Sequence, residues 1–158
     1  MKAASVAQLK KELKFRSSDE LEALCLRLAR FKKENKELLT YLLFESEDEA
    51  GYVDSVKEHI DEGFTQINTS SFYYVKKSIR KILRETKKYV RYSHHTETEI
   101  ELLLYFCGKL RSFSPSIKQS RTMMNLYERQ LLLIEKKMLS LHEDLQYDYH
   151  KELDHLKK

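Results

Sequence analysis

Proline occurs once in this 158-residue chain, glycine three times and tryptophan not at all. Sandwiches and barrels need frequent breaker-rich turns, and Rossmann-type sheets need glycine-rich phosphate loops, so so few breakers exclude all of these. Cysteine is almost as scarce. Cys25 and Cys107 stand too far apart for a metal-ligand spacing, and each falls in a helical apolar pattern, which predicts two buried free thiols. The longest clearly apolar stretch, Leu102 to Cys107, is far short of the roughly 20 residues that span a bilayer, and Met1 to Phe15 holds no apolar leader. A soluble cytoplasmic protein without a membrane role is expected. The chain also lacks a P-loop, a GxSxG, a DFG-like set and an HExxH, so no catalytic, cofactor-binding or metal-ligating residues are assigned and an enzyme is not expected.

What the chain does contain is charge and helical rhythm: 34% of residues are charged, 41% are hydrophobic, and the formal net charge is +4. Apolar residues recur at steps of three and four almost throughout. Val6, Leu9 and Leu13 mark a short first helix. Ser17 with Glu20 three residues later is a capping-box signature, opening a second helix with Leu21, Leu24, Cys25 and Leu28 on its inward face. Asn35 is a candidate cap for a third helix carrying Leu38, Leu39, Leu42 and Leu43. A fourth, about 48–67, follows Val53, Val56, Ile60, Phe64 and Ile67. The polar turn at Asn68 to Ser71 precedes a fifth on Val75, Ile79, Ile82, Leu83, Thr86 and Val90. Thr96 or Thr98 caps a sixth, and Pro115 marks the clearest break, at 112–120. Beyond it the spacing of Met124, Tyr127, Leu131, Ile134, Met138, Leu141 and Leu145 predicts a long C-terminal helix. After Leu145 the rhythm slips to consecutive steps of four at Tyr149 and Leu153, with Leu156 beyond, a stutter at which the last turns bend, fray or form a separate helix. The expected fold is all-α: six or seven helices in antiparallel hairpins, forming a bundle or a short α-superhelix. A single domain over 1–158 is expected.

Two adjacent segments carry opposite charge. Residues 45–62 hold eight acids against Lys57, and residues 70–95 hold eight bases against Glu85. Helices joined by a tight turn pack against each other, so one reading is that the two polar edges neutralise within the fold. The other is a solvated basic stripe. Lys77, Arg80, Lys81, Arg84, Lys88 and Arg91 recur along one helix face, with Tyr73, Tyr74, Tyr89, Tyr92, His94 and His95 as stacking groups at its ends, an arrangement suited to a phosphate backbone. The acidic neighbour counts against nucleic acid.

The histidines fall beside carboxylates without a ligand spacing and are read as surface residues. Leu9 to Arg16 together with Leu24 to Leu28 loosely resembles the SAP helix-turn-helix motif, but the glycines of that motif are missing and Ser17 to Glu20 is polar and acidic. The stretches Leu9-Lys10-Lys11-Glu12-Leu13, Asp19-Glu20-Leu21-Glu22-Ala23-Leu24 and Lys33 to Leu42 resemble the opening of small uncharacterised all-helical bacterial proteins, over about a quarter of the chain. That resemblance implies a bacterial cytoplasmic all-helical protein and brings no activity with it. The functional expectation is a noncatalytic protein-interaction scaffold with a protein partner, and the C-terminal heptads offer a homodimer seam. The alternative is nucleic-acid or polyanion binding through the basic helix 71–92.

Overall fold

Helix start signals do much of the work. The computed structural model describes residues 1–158 and contains eight α-helices and no strand, against the six or seven expected. Its contacts divide the chain into two compact units, residues 1–45 and 46–158, where the sequence suggested one domain. No helix is long and apolar enough to cross a membrane.

The N-terminal unit holds α1 (Val6–Leu13), α2 (Ser18–Phe31) and α3 (Lys33–Thr40), which runs on into a π-helical turn, Tyr41–Glu45. The capping box at Ser17 forms as its sequence requires: Ser17 Oγ accepts the Glu20 N–H at 3.2 Å and Glu20 accepts the Ser17 N–H at 2.8 Å. A second box, Ser5 with Gln8, starts α1. Asn35 is not the cap of α3, because the helix begins two residues earlier; its side-chain amide instead donates to the Leu28 carbonyl at 2.8 Å. That bond satisfies one of the orphan acceptors at the end of α2 and fixes the α2–α3 corner.

The second unit holds α4 (Glu49–Thr65), α5 (Phe72–Ser93), α6 (Thr96–Ser112), α7 (Arg121–Met138) and α8 (Glu143–Lys157). Its centre is α6, which touches the other four. Ile100, Leu102, Leu103, Leu104, Phe106, Cys107 and Leu110 are all essentially inaccessible, as a helix apolar on several faces must be. Polar contacts fix the directions. Tyr52 donates to the Tyr89 carbonyl, and Glu49 accepts from Ser93, so α4 and α5 run antiparallel. Lys57 with Glu101 and Asp61 with Lys109 place α4 and α6 side by side in the same direction. His95, rather than Thr96 or Thr98, occupies the N-cap position of α6, and Thr98 is buried.

The expected break at 112–120 lies inside this unit, where a 3₁₀ turn, Ile117–Gln119, leads to α7. The long C-terminal helix is two, and the break falls at 139–142, ahead of the slip in rhythm after Leu145. The chain reverses between Met138 and Glu143, where the ring of His142 accepts the Asp144 N–H and Gln146 donates back to the Leu141 carbonyl. α8 then returns along α7, burying Leu153 and Leu156, with Tyr127 donating to the Leu156 carbonyl at 2.8 Å. The heptad positions Tyr127, Leu131, Ile134 and Met138 are thereby buried within this unit.

Candidate anion-binding groove and a bare apolar face

On α5 the apolar residues Val75, Ile79, Ile82, Leu83, Thr86 and Val90 are buried, which turns the intervening bases outward at the 3.6-residue period. Lys77, Arg80, Lys81 and Arg84 are exposed, Lys76 is half-buried, and together with Tyr73 and Thr122 of α7 they line an open groove of about 600 Å³. No acid lines it. None of these five bases makes an ion pair within the chain, although Glu85 lies on the same helix. Five cations along three turns repel one another weakly in water and attract any polyanion, with an energy that salt screens.

The structure divides the predicted stripe. Lys77, Arg80, Lys81 and Arg84 come together in the groove. Lys88 and Arg91 lie farther along the same face and do not line it: the Lys88 ammonium sits 4.8 Å from the centre of the Tyr89 ring, and Arg91 borders a different depression with Lys87, His94, His95, Glu99 and Lys137. Lys76 and Thr122 were missed, the first because its contribution depends on α7 supplying the far wall. Of the expected stacking groups Tyr73 and Tyr74 are exposed at one end, with their rings edge to face at 5.4 Å, and His94 and His95 are exposed at the other. Tyr92 is buried, and Tyr89 packs edge-on against both Tyr92 and His59. Tyrosine stacking capacity therefore exists at one end of the basic face, and the exposed rings at the other end are the two histidines.

Two acids of α4, Asp61 and Glu49, are engaged elsewhere. Asp61 accepts from Tyr105 at 2.7 Å and pairs with Lys109 at 2.8 Å, while the Lys57 and Lys109 ammoniums both lie over the Tyr105 ring. Burial pushes the Asp61 carboxyl upward, but the hydrogen bonds from Lys109 and Tyr105 outweigh it and hold the group below the ordinary carboxylate range. Lys87, turned toward α6, is lowered below the ordinary lysine range by burial, against the pull of Glu99 and Cys107.

Glu49, Ser93 and His95 form a constellation that superficially suggests a hydrolytic triad. The Glu49 carboxylate accepts from Ser93 and from Thr98, and both Ser93 Oγ and Glu49 lie on the same ring nitrogen, Nδ1, of His95 at 3.1 and 3.3 Å. A triad needs the two on opposite nitrogens, so that the ring takes the serine proton on one while the carboxylate holds the other N–H and stabilises the imidazolium. Ser93 is moreover buried and donates directly to the carboxylate. The set ties the start of α4 to the start of α6 and leaves no free nucleophile. No three His, Cys, Asp or Glu side chains converge in a way that could hold a metal.

The N-terminal unit offers the other surface. Of nineteen exposed large hydrophobic side chains in the protein, fourteen belong to residues 1–45. Leu9, Leu13, Leu21, Leu24, Leu28 and Phe31 lie on the apolar stripes of α1 and α2, yet Leu28 is 60% and Phe31 76% exposed. Between α2 and α3 runs a cleft of about 240 Å³ lined by Cys25, Leu28, Ala29, Asn35, Leu38, Leu39 and Leu42. Cys25 is exposed, which corrects the expectation of two buried thiols; only Cys107 is buried. Periodicity identified the stripe as apolar and wrongly implied that it was covered.

No protein-family model, curated protein or solved structure matches the chain.

Proposed function

We propose that this protein is a noncatalytic interaction module whose N-terminal helices dock onto another protein surface. The observation that carries this reading is the concentration of exposed leucine and phenylalanine between Val6 and Phe44. Contiguous exposed apolar surface marks interaction sites, since scattered single residues do not gather on one stripe by chance. Roughly 25 cal/mol per Å² of apolar area is gained when such a face is covered. A 45-residue segment in which Tyr41 is the one buried large hydrophobic holds little core of its own, and segments this small ordinarily need a partner for stability.

The test is a native pull-down with and without nuclease, comparing the wild type with Leu24→Asp/Leu28→Asp. Nuclease-resistant protein capture that the double variant loses, with its helical circular dichroism retained, supports the reading. Equal capture by both proteins counts against it.

A second reading, polyanion binding at the α5 groove, is favoured by the absence of any acidic partner for Lys76, Lys77, Arg80, Lys81 and Arg84. With four or five phosphates engaged, log affinity for duplex DNA should fall against log salt with a slope of about −4, flattening by about two units in Arg80→Gln/Arg84→Gln. A salt-independent affinity would overturn it.

A further inference from the structure

We infer that the apolar face of α2 is covered by a second copy of this chain, the two α2 helices lying antiparallel about a two-fold axis. This rests on the interaction reading above and names the partner. The argument comes from the order of charges along α2. Its front half carries Asp19, Glu20 and Glu22 and its rear half Arg27 and Arg30, with no opposite sign in either half. At 100° per residue Glu20 and Arg27, seven residues apart, fall on the same border of the stripe formed by Leu21, Leu24, Leu28 and Phe31.

An isologous contact requires that a surface complement itself. A two-fold axis between Ala23 and Leu24 sets Glu20 of each copy opposite Arg27 of the other, along the same flank. Leu24 then lies at the axis, with Leu21 and Leu28 on either side. A parallel copy in register would instead set acid beside acid and base beside base, which like-charge repulsion disfavours. Arg27 and Arg30 make no ion pair within the chain, and neither do Asp19 and Glu22. Glu20 pairs internally only with the exposed Arg16 at 3.5 Å and keeps its capping bond to Ser17. Since α3 packs on α2, each copy brings a helical hairpin, and two such hairpins make a four-helix assembly around the apolar stripes. The homodimer expected from the C-terminal heptads thus moves to α2, because that seam is occupied inside the chain.

The experiment is sedimentation equilibrium of the full chain, with alkylation of Cys25 as a second readout because Cys25 lines the cleft beside the proposed contact. The wild type should approach twice 18.9 kDa as concentration rises, and Cys25 should alkylate more slowly over the same range. Arg27→Glu makes the border all-acidic and Glu20→Arg makes it all-basic. Each should weaken the dimer by about tenfold, since the two-fold repeats every charge clash. Mixing the two variants in equal amounts should restore it, which a merely sticky or misfolded face would not do.

A wild type that stays monomeric overturns the proposal, as does an open-ended aggregate, or a dimer that ignores both charge variants and Leu24→Asp. A monomer whose protein capture is lost in Leu24→Asp/Leu28→Asp overturns the second copy alone. A monomer whose capture is unchanged by that pair overturns the interaction reading as well.

Discussion

His59 Nε2 lies 3.1 Å from the carboxylate of Glu85, joining the histidine of the acidic helix α4 to the acid of the basic helix α5. This polar contact between the helices thus does not use the bases of the groove. Asp61 turns to Lys109 and Tyr105 on α6, and Glu49 to Ser93 and Thr98. The opposite signs of the two segments therefore set a field around the molecule, while apolar burial holds α4 on α5.

If Lys77 and Arg84 are solvated as described, reversing both to Glu should change stability by less than about 0.5 kcal/mol. Replacing Glu85 by Ala should cost a similar small amount, the worth of one part-exposed contact. Urea unfolding at low salt checks both. A loss above about 2 kcal/mol for the lysine and arginine reversals would reveal pairing across the helices.

Two glycines should respond to alanine in opposite directions. At Gly108, within α6, a Cβ would meet nothing within 4 Å, so Gly108→Ala should stabilise by about 0.5–1 kcal/mol through helix propensity alone. At Gly63 of α4 a Cβ would come within 2.9 Å of Ile82 Cγ1 and 3.2 Å of its Cδ1. Ile82 is buried and β-branched, hence stiff, so the added methyl should force α4 off α5 and lower the melting temperature. Thermal unfolding of the two variants, measured side by side, should show shifts of opposite sign.

Local chemistry was legible in the sequence wherever it did not depend on distant partners. Ser17 with Glu20 gave the start of α2, Asp48 caps α4 close to its expected start, and Asn68 to Ser71 separate α4 from α5. The reversal at 139–142 was hidden because Leu139 and Leu141 continue the apolar rhythm of α7, and the stop contains neither Gly nor Pro. Its one local signal was His142 followed by Glu143 and Asp144, a cap and an acidic first turn. The site was legible in part for a similar reason. Periodicity placed Lys77, Arg80, Lys81 and Arg84 on one face, but whether that face met acids or solvent depended on where α6 lay. Burial was the least legible property: Leu24 of α2 and Leu103 of α6 sit in equally regular patterns, yet Leu24 is 42% exposed and Leu103 is not exposed at all.

The Asp61 contact should appear in the acid limb of the stability curve. Its folded carboxyl titrates below the unfolded one, whose ordinary value is 3.8, so it binds its proton less readily when folded. The contribution is then fully present above about pH 4 and is lost as pH falls through the folded value. Asp61→Asn should lower stability at pH 7 and flatten its decline below pH 4. The side chain is 40% exposed, so screening keeps the effect modest. Parallel acid limbs in wild type and variant would show that the Lys109 and Tyr105 bonds add nothing to folding.

The two thiols should differ sharply in reactivity. Cys107 is fully enclosed in α6, and burial pushes its thiol up to about 12, the nearby charge of Lys87 opposing only in part. The thiolate is the nucleophile, so at pH 8 Cys107 is both inaccessible and almost wholly protonated. Cys25 is exposed on α2. In dilute native protein a thiol-disulfide reagent should therefore titrate one thiol promptly, and the second only at the rate of unfolding. In Cys25→Ser the prompt phase should vanish, whereas Cys107→Ser should leave it intact. Prompt reaction of Cys107 in the folded protein would mean that α6 opens on the timescale of labelling and is not the closed centre of the second unit.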